Sequence, residues 1–96
     1  MLFNNAQITN MIDISSISID LITRISEEEC AELIQAISKE SRGKADRDNT
    51  NEEIADVLIC ISWLIQKLNL DENEINKWIE FKTNRSKNKI EKNNFK

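Results

Sequence analysis

Four carboxylates stand where they could do chemistry. Glu29 with Glu32, and Glu53 with Asp56, form two acidic pairs, each spaced i, i+3 and separated from the other by 20 residues. In a helix, a step of three leaves two side chains about 60° apart on one face. Two such pairs on neighbouring helices can aim four oxygen ligands at one point. Inward carboxylates with no Lys or Arg on the same seam are costly to ionise, because desolvation and mutual repulsion both favour protonation. A bound cation removes that cost. Oxygen-only donors suit Mg²⁺, with Mn²⁺ able to substitute, and carboxylates commonly hold such an ion while water and phosphate oxygens complete its shell. The chain has no histidine, which excludes the Glu-x-x-His pattern of di-iron bundles and argues against zinc.

The elements that must position these groups read as helices. With no proline and a single glycine, the chain lacks the turn residues that a sheet of short strands needs. Apolar spacing predicts a short first helix over about 4–14, from Ile8, Met11 and Ile12, a second over about 18–41 and a third over about 51–69. On the second, an advance of about 100° per residue puts Glu29 within ~20° of Ile22 and ~40° of Leu33, inside the apolar arc, with Glu32 beside Ile25 and Ala36. Gly43 closes that helix, and the polar 44–51 segment is the interhelical loop. On the third helix, Ile54, Val57, Leu58, Ile61, Leu64, Ile65 and Leu68 form the main apolar stripe, bordered by Glu53 and Asp56. Asp71 can cap a fourth helix with Glu74 at the capping-box position, and Ile75, Trp78, Ile79 and Phe81 give it an apolar side. The expected fold is all-α, helical hairpins forming a four-helix-bundle core. Ala55, Ile59 and Trp63 leave a second apolar surface on the third helix, more than one small chain can cover. The bundle is therefore expected to be completed by a homo-oligomer, a dimer or tetramer.

Each acidic residue has a plainer explanation when taken singly. Glu27-Glu28-Glu29 could be a solvated run, and Glu53 the capping-box partner of Thr50. Two inward pairs in order, joined by a polar loop, are what favour a metal site. An EF-hand reading of Asp46-Arg47-Asp48 fails, because Asn51 stands where that loop requires glycine and Val57 where it requires glutamate. Cys30 and Cys60 match neither a CxxC clip nor a disulfide framework and are expected to be buried and structural. Trp63 and Trp78 could stack on a base, but at helical spacing they are expected in the core.

The charge is divided along the chain. Met1 to Phe81 carries 7 basic and 16 acidic residues, a net −9, and Lys82 to Lys96 carries 6 basic and 1 acidic, a net +5. An acidic body argues against general nucleic-acid binding, which depends on neutralising phosphates, and fits the gathering of divalent cations. No stretch approaches the ~20 apolar residues of a membrane span, and no basic segment followed by an apolar run opens the chain. The expectation is one cytoplasmic domain over 1–96, away from membranes, with a basic, frayed tail from about residue 90.

The stretch Glu28-Glu29-Cys30-Ala31-Glu32, followed by Glu53-Ile54-Ala55-Asp56 after 20 intervening residues, resembles the EExxE…ExxD signature of MazG-like nucleotide pyrophosphohydrolases. The likeness extends through Ser38 to Lys44 and Lys82-x-x-Arg85 and covers about Ile19 to Lys89; Met1 to Ser18 match nothing in it. It implies Mg²⁺-dependent hydrolysis of NTPs or dNTPs to the monophosphate and pyrophosphate. Glu29, Glu32, Glu53 and Asp56 would be the metal ligands, and Glu28 an outer-shell residue or water-orienting base. Phosphate also calls for cations: Lys39, Arg42 and Lys44 end the second helix, where they equally suit its C-terminal dipole. Lys82 and Arg85 lie i, i+3 on the fourth, where the family has a similar pair. A non-catalytic helical nucleotide-binding or adaptor protein is the alternative, and Mg²⁺-dependent release of pyrophosphate separates the two.

Overall fold

A computed structural model describes residues 3–10 and 14–91. Every regular element among them is a helix: α1 (Asn5–Asn10), α2 (Ile19–Ser41), α3 (Arg47–Lys67) and α4 (Glu72–Glu91). The all-α expectation holds. None of the helices is long and apolar enough to cross a membrane. Of the residues expected to give the first helix its apolar side, Ile8 is exposed, and Met11 and Ile12 lie outside the described residues.

Capping side chains fix the boundaries. The Ser18 hydroxyl accepts from Leu21 N–H at 3.2 Å and starts α2. At its end Gly43 takes φ 69°, while Gly43 and Lys44 N–H donate to the carbonyls of Glu40 and Lys39, the pairing of a left-handed C-terminal cap. Asn69 repeats this after α3 at φ 54°, with Asn69 and Leu70 N–H donating to Gln66 and Ile65.

Helix α3 begins four residues before the expected Asn51. Asp46 Oδ1 accepts from Asp48 and Asn49 N–H at 3.1 and 3.3 Å, so Arg47 to Thr50 form a solvated first helical turn instead of a loop. Thr50 donates its hydroxyl to Asp46 O at 3.1 Å, which places Glu53 inside the helix and removes the capping-box explanation for it. At α4 Asp71 does cap, accepting from Asn73 N–H at 2.8 Å, but Glu74 pairs with Lys77 at 3.0 Å instead of turning back to the cap.

The packing unit is the α2–α3 hairpin, the one pair of these helices laid along each other. Its core is small: Ile14, Ile22, Ala36 and Cys60, with Ser26 and Glu53 buried among them. The face that α3 turns to α2 is thus the one carrying Glu53 and Cys60. The main apolar stripe was expected to fill the core, yet Ile54, Ile61 and Leu68 are 44%, 45% and 43% exposed. Helix α4 buries no residue at all and projects from the hairpin, giving a radius of gyration of 16.3 Å against about 12 Å for a compact chain of this length. Trp78, expected in the core, is 60% exposed.

Ile14 is held against the hairpin by Lys67, whose Nζ donates to the carbonyls of Ile14 and Ser15 at 3.5 and 3.1 Å. Lys67→Met keeps the stem and removes these bonds, at a cost of about 1 kcal/mol. Thermal melting should show a drop of about 5 °C; an unchanged melting point would mean the 14–15 segment is held by Ile14 burial alone.

Candidate metal centre

The inward face of α2 runs through Ile22, Ser26 and Ala36, all buried, and Glu29 falls on that face one turn beyond Ser26. On α3 the buried residues are Glu53 and Cys60, seven apart and so nearly aligned along the axis. Asp56 lies one turn from each. Packing α2 on α3 therefore joins the two acidic pairs across the hairpin, and one oxygen from each of Glu29, Glu32, Glu53 and Asp56 lies within 4.8 Å of all the others.

Exposure grades across the cluster. Glu53 is buried, Glu29 and Asp56 are half-buried, and Glu32 is exposed, so the group has a closed inner side and an open outer one. Among the described residues the ion pairs lie elsewhere: the side chains of Arg47, Lys77 and Lys87 pair with Glu40, Glu74 and Glu91. Burial, then the charges of Glu32 and Asp56, pushes the Glu29 carboxyl up from 4.5 to about 7. Burial also raises Glu53, together with its contact to the Glu32 carboxyl and the charges of Glu32, Asp56 and Glu52. Oε2 of both Glu29 and Glu53 is enclosed without a hydrogen-bond partner. Enclosed acceptor oxygens crowded by like charge are the state that a divalent cation relieves.

Sequence reasoning overlooked what lies beneath the carboxylates. Ser26 donates its hydroxyl to Ile22 O at 2.8 Å and lies by the Cys60 thiol, which burial pushes up, with the nearby Ser26 lowering it and the Glu29 charge raising it again. A buried thiol kept protonated is inert, as expected for Cys60; Cys30, expected to be buried too, is exposed. The seven-residue step from Glu53 to Cys60 was the available signal.

The remaining candidate residues are dispersed. Glu28 is exposed and stands outside the four-oxygen cluster. Lys39, Arg42 and Lys44 are exposed at the end of α2, and Arg42 Nε donates to Ser38 O at 3.3 Å, which is a helix-capping role. Lys82 and Arg85 ride on α4, each 5.9 Å from an aromatic centroid, Trp78 for Lys82 and Phe81 for Arg85. Because α4 is not packed along α2 or α3, the fold of one chain does not bring this pair to the carboxylates.

Residues 18–92 match the model of the MazG nucleotide pyrophosphohydrolase domain. Neither the curated proteins nor the solved structures give a match.

Proposed function

Because the chain belongs to the MazG nucleotide pyrophosphohydrolase family, we propose that it is a Mg²⁺-dependent enzyme converting an NTP or dNTP to the monophosphate and pyrophosphate. The observation that carries this reading is Glu53, only 8% exposed, its Oε2 without a partner, gathered with three further carboxylates. Nothing in a packing role accounts for that group, since an apolar residue at the same position would cost less.

Glu29, Glu32, Glu53 and Asp56 would hold the cation, and their oxygen-only donor set fits Mg²⁺ or Mn²⁺. The bound cation supplies the positive charge that neutralises a triphosphate and acidifies water. The chain's own part is positional. Glu53 and Glu29 fix the inner side of the cluster, while exposed Glu32 leaves the outer side open to phosphate oxygens. Glu28, one residue from Glu29 and facing solvent, is assigned the outer-shell or water-orienting role. Phosphoryl transfer needs little covalent chemistry from the protein, so orientation and charge are what such a site has to provide. Lys82 and Arg85 are assigned to the phosphates, with Lys39 and Arg42 as weaker candidates. We take 1–96 as one domain acting in the cytoplasm as a homo-oligomer; the apolar surface left bare on α3 and α4 supports the assembly.

The direct test is a panel of NTPs and dNTPs with Mg²⁺, reading out pyrophosphate and monophosphate. Release should depend on the metal and cease with chelator. Metal-linked nucleotide binding without product would replace the enzyme by a nucleotide-binding protein.

A further inference from the structure

Packing α2 on α3 brings a thiol to the inner edge of the carboxylates. Asp56 and Cys60 are spaced i, i+4 on α3, a step at which one helix face can offer two ligands to a single ion. Across the hairpin, Glu29 touches Asp56, and the charges of both reach the Cys60 sulfur. Cys60 is 3% exposed, and the Ser26 hydroxyl beside it is already given to Ile22 O.

The pull for a cation comes from the oxygens. Glu53, 8% exposed, reaches into the four-oxygen group with its Oε2 enclosed and unpartnered, as is Oε2 of Glu29. A hard ion such as Mg²⁺ takes oxygen and leaves a thiol alone. A sulfur-seeking divalent cation, Zn²⁺ or Cd²⁺, prefers thiolate and accepts carboxylate beside it in a four-coordinate set. The chain has no histidine, so its thiols are the strong soft donors for such an ion. Cys30 is exposed; Cys60 stands on the face that α3 turns to the acidic pairs.

We infer that the cluster has a second mode of occupancy, in which a sulfur-seeking divalent cation binds through the Cys60 thiolate together with Glu29 and Asp56. On binding, the S–H bond breaks, the proton passes to solvent and a sulfur electron pair goes to the metal, with no change of oxidation state. The ion takes oxygens assigned to Mg²⁺ and so excludes it, which makes Cys60 the residue through which Zn²⁺ or Cd²⁺ inhibits. That inhibition rests on the nucleotide reading above; the thiolate ligation does not. A buried thiol also packs as a small hydrophobe, but packing alone gives no bond between sulfur and a metal.

Cd²⁺ titrated into the full chain, with its thiols kept reduced, decides it. Thiolate ligation gives a sulfur-to-metal charge-transfer absorption in the ultraviolet. The wild type should develop this band and saturate at about one Cd²⁺ per chain. Cys30→Ala should keep the band, and Cys60→Ser, close in volume and checked for helix content by circular dichroism, should lose it. Two further arms leave Cys60 in place. Asp56→Asn should weaken Cd²⁺ at least about tenfold, and millimolar Mg²⁺ should raise the Cd²⁺ concentration needed for half-saturation of the wild type. A wild type without the band overturns the site, as does a band lost in Cys30→Ala but kept in Cys60→Ser, which is an exposed thiol binding metal. Cd²⁺ affinity indifferent to both Asp56→Asn and Mg²⁺ also overturns it, because the carboxylates are then not shared. A Cys60-dependent band in a protein that releases no pyrophosphate removes the nucleotide reading and leaves the thiolate site standing.

Discussion

Glu53→Gln is expected to abolish turnover while leaving the helices intact. Glutamine keeps the shape and volume of the side chain but replaces a charged oxygen with an amide at the most buried point of the cluster. Losing groups that only support a metal ligand costs 10- to 100-fold, so losing a ligand should cost on the order of 100-fold or more in kcat/KM. Asp56→Asn should behave alike, since Asp56 contributes to the same four-oxygen group. The second half of the expectation separates a metal site from a structural one. Glu53 sits among Glu29, Glu32 and Asp56 with its carboxyl pushed up by burial and by Glu32 and Asp56, so neutralising it relieves repulsion. Without metal, the variant should melt at or above the wild-type temperature. Wild-type rates at saturating Mg²⁺ would remove Glu53 from the site. An inactive variant that melts well below wild type would make it a structural residue.

The carboxylate cluster was legible in the sequence because it depends on local geometry alone. Once α2 and α3 are helices, the i, i+3 spacing fixes each pair, and the position of Glu29 among Ile22 and Leu33 fixes the direction in which it faces. Glu28 could be placed outside by the same count, being about 100° away from Glu29. The cations could not be placed in that way. Where Lys82 and Arg85 lie relative to the carboxylates depends on the course of α4, set by the four residues 68–71 and by whatever covers the helix. Spacing along α4 says nothing of either.

The depth to which α3 buries its apolar stripe is less legible, for a related reason. Ile54, Ile61 and Leu68 make its most apolar stripe, and an apolar stripe reports burial in the final assembly without naming the partner. Helix α2 offers Ser26 and Ala36 on its inward face, small residues that admit Cys60 and the two glutamates between the helices. The face with the polar groups is therefore the one spent on the intrachain contact, and the more apolar one is only partly covered, with Val57, Leu58, Leu64 and Ile65 half-buried and Ile54, Ile61 and Leu68 exposed. Trp78 follows the same rule on α4. At the helix ends the reverse holds: Gly43 and Asp71 marked boundaries because a cap needs only its own neighbours. Asp46 does not stand out in this way, because seven polar residues follow it before Ile54.

Magnesium should stabilise the protein more at high pH than at low, and the apo protein should show the opposite trend. The folded chain holds the Glu29 carboxyl up at about 7 against 4.5 in a solvated chain, so between those values the folded state binds more protons than the unfolded one. Stability then falls as pH rises through that window, and the penalty is complete above it. Glu53 is shifted in the same direction and adds to the slope. A divalent cation competes with those protons and gains most where the carboxylates are already charged. Melting the chain at about pH 5 and about pH 8, with chelator or with millimolar Mg²⁺, measures both trends. The apo melting temperature should be lower at the higher pH, and Mg²⁺ should raise it there by on the order of 5 °C, with little effect at the lower pH. Glu29→Gln should flatten the apo slope and blunt the response to metal, while Glu27→Gln, a neutralisation on the exposed side of α2, should leave both in place. If the apo protein gains stability as pH rises through this window, or if Mg²⁺ adds equally at both pH values, these carboxylates are neither strained nor metal-coupled.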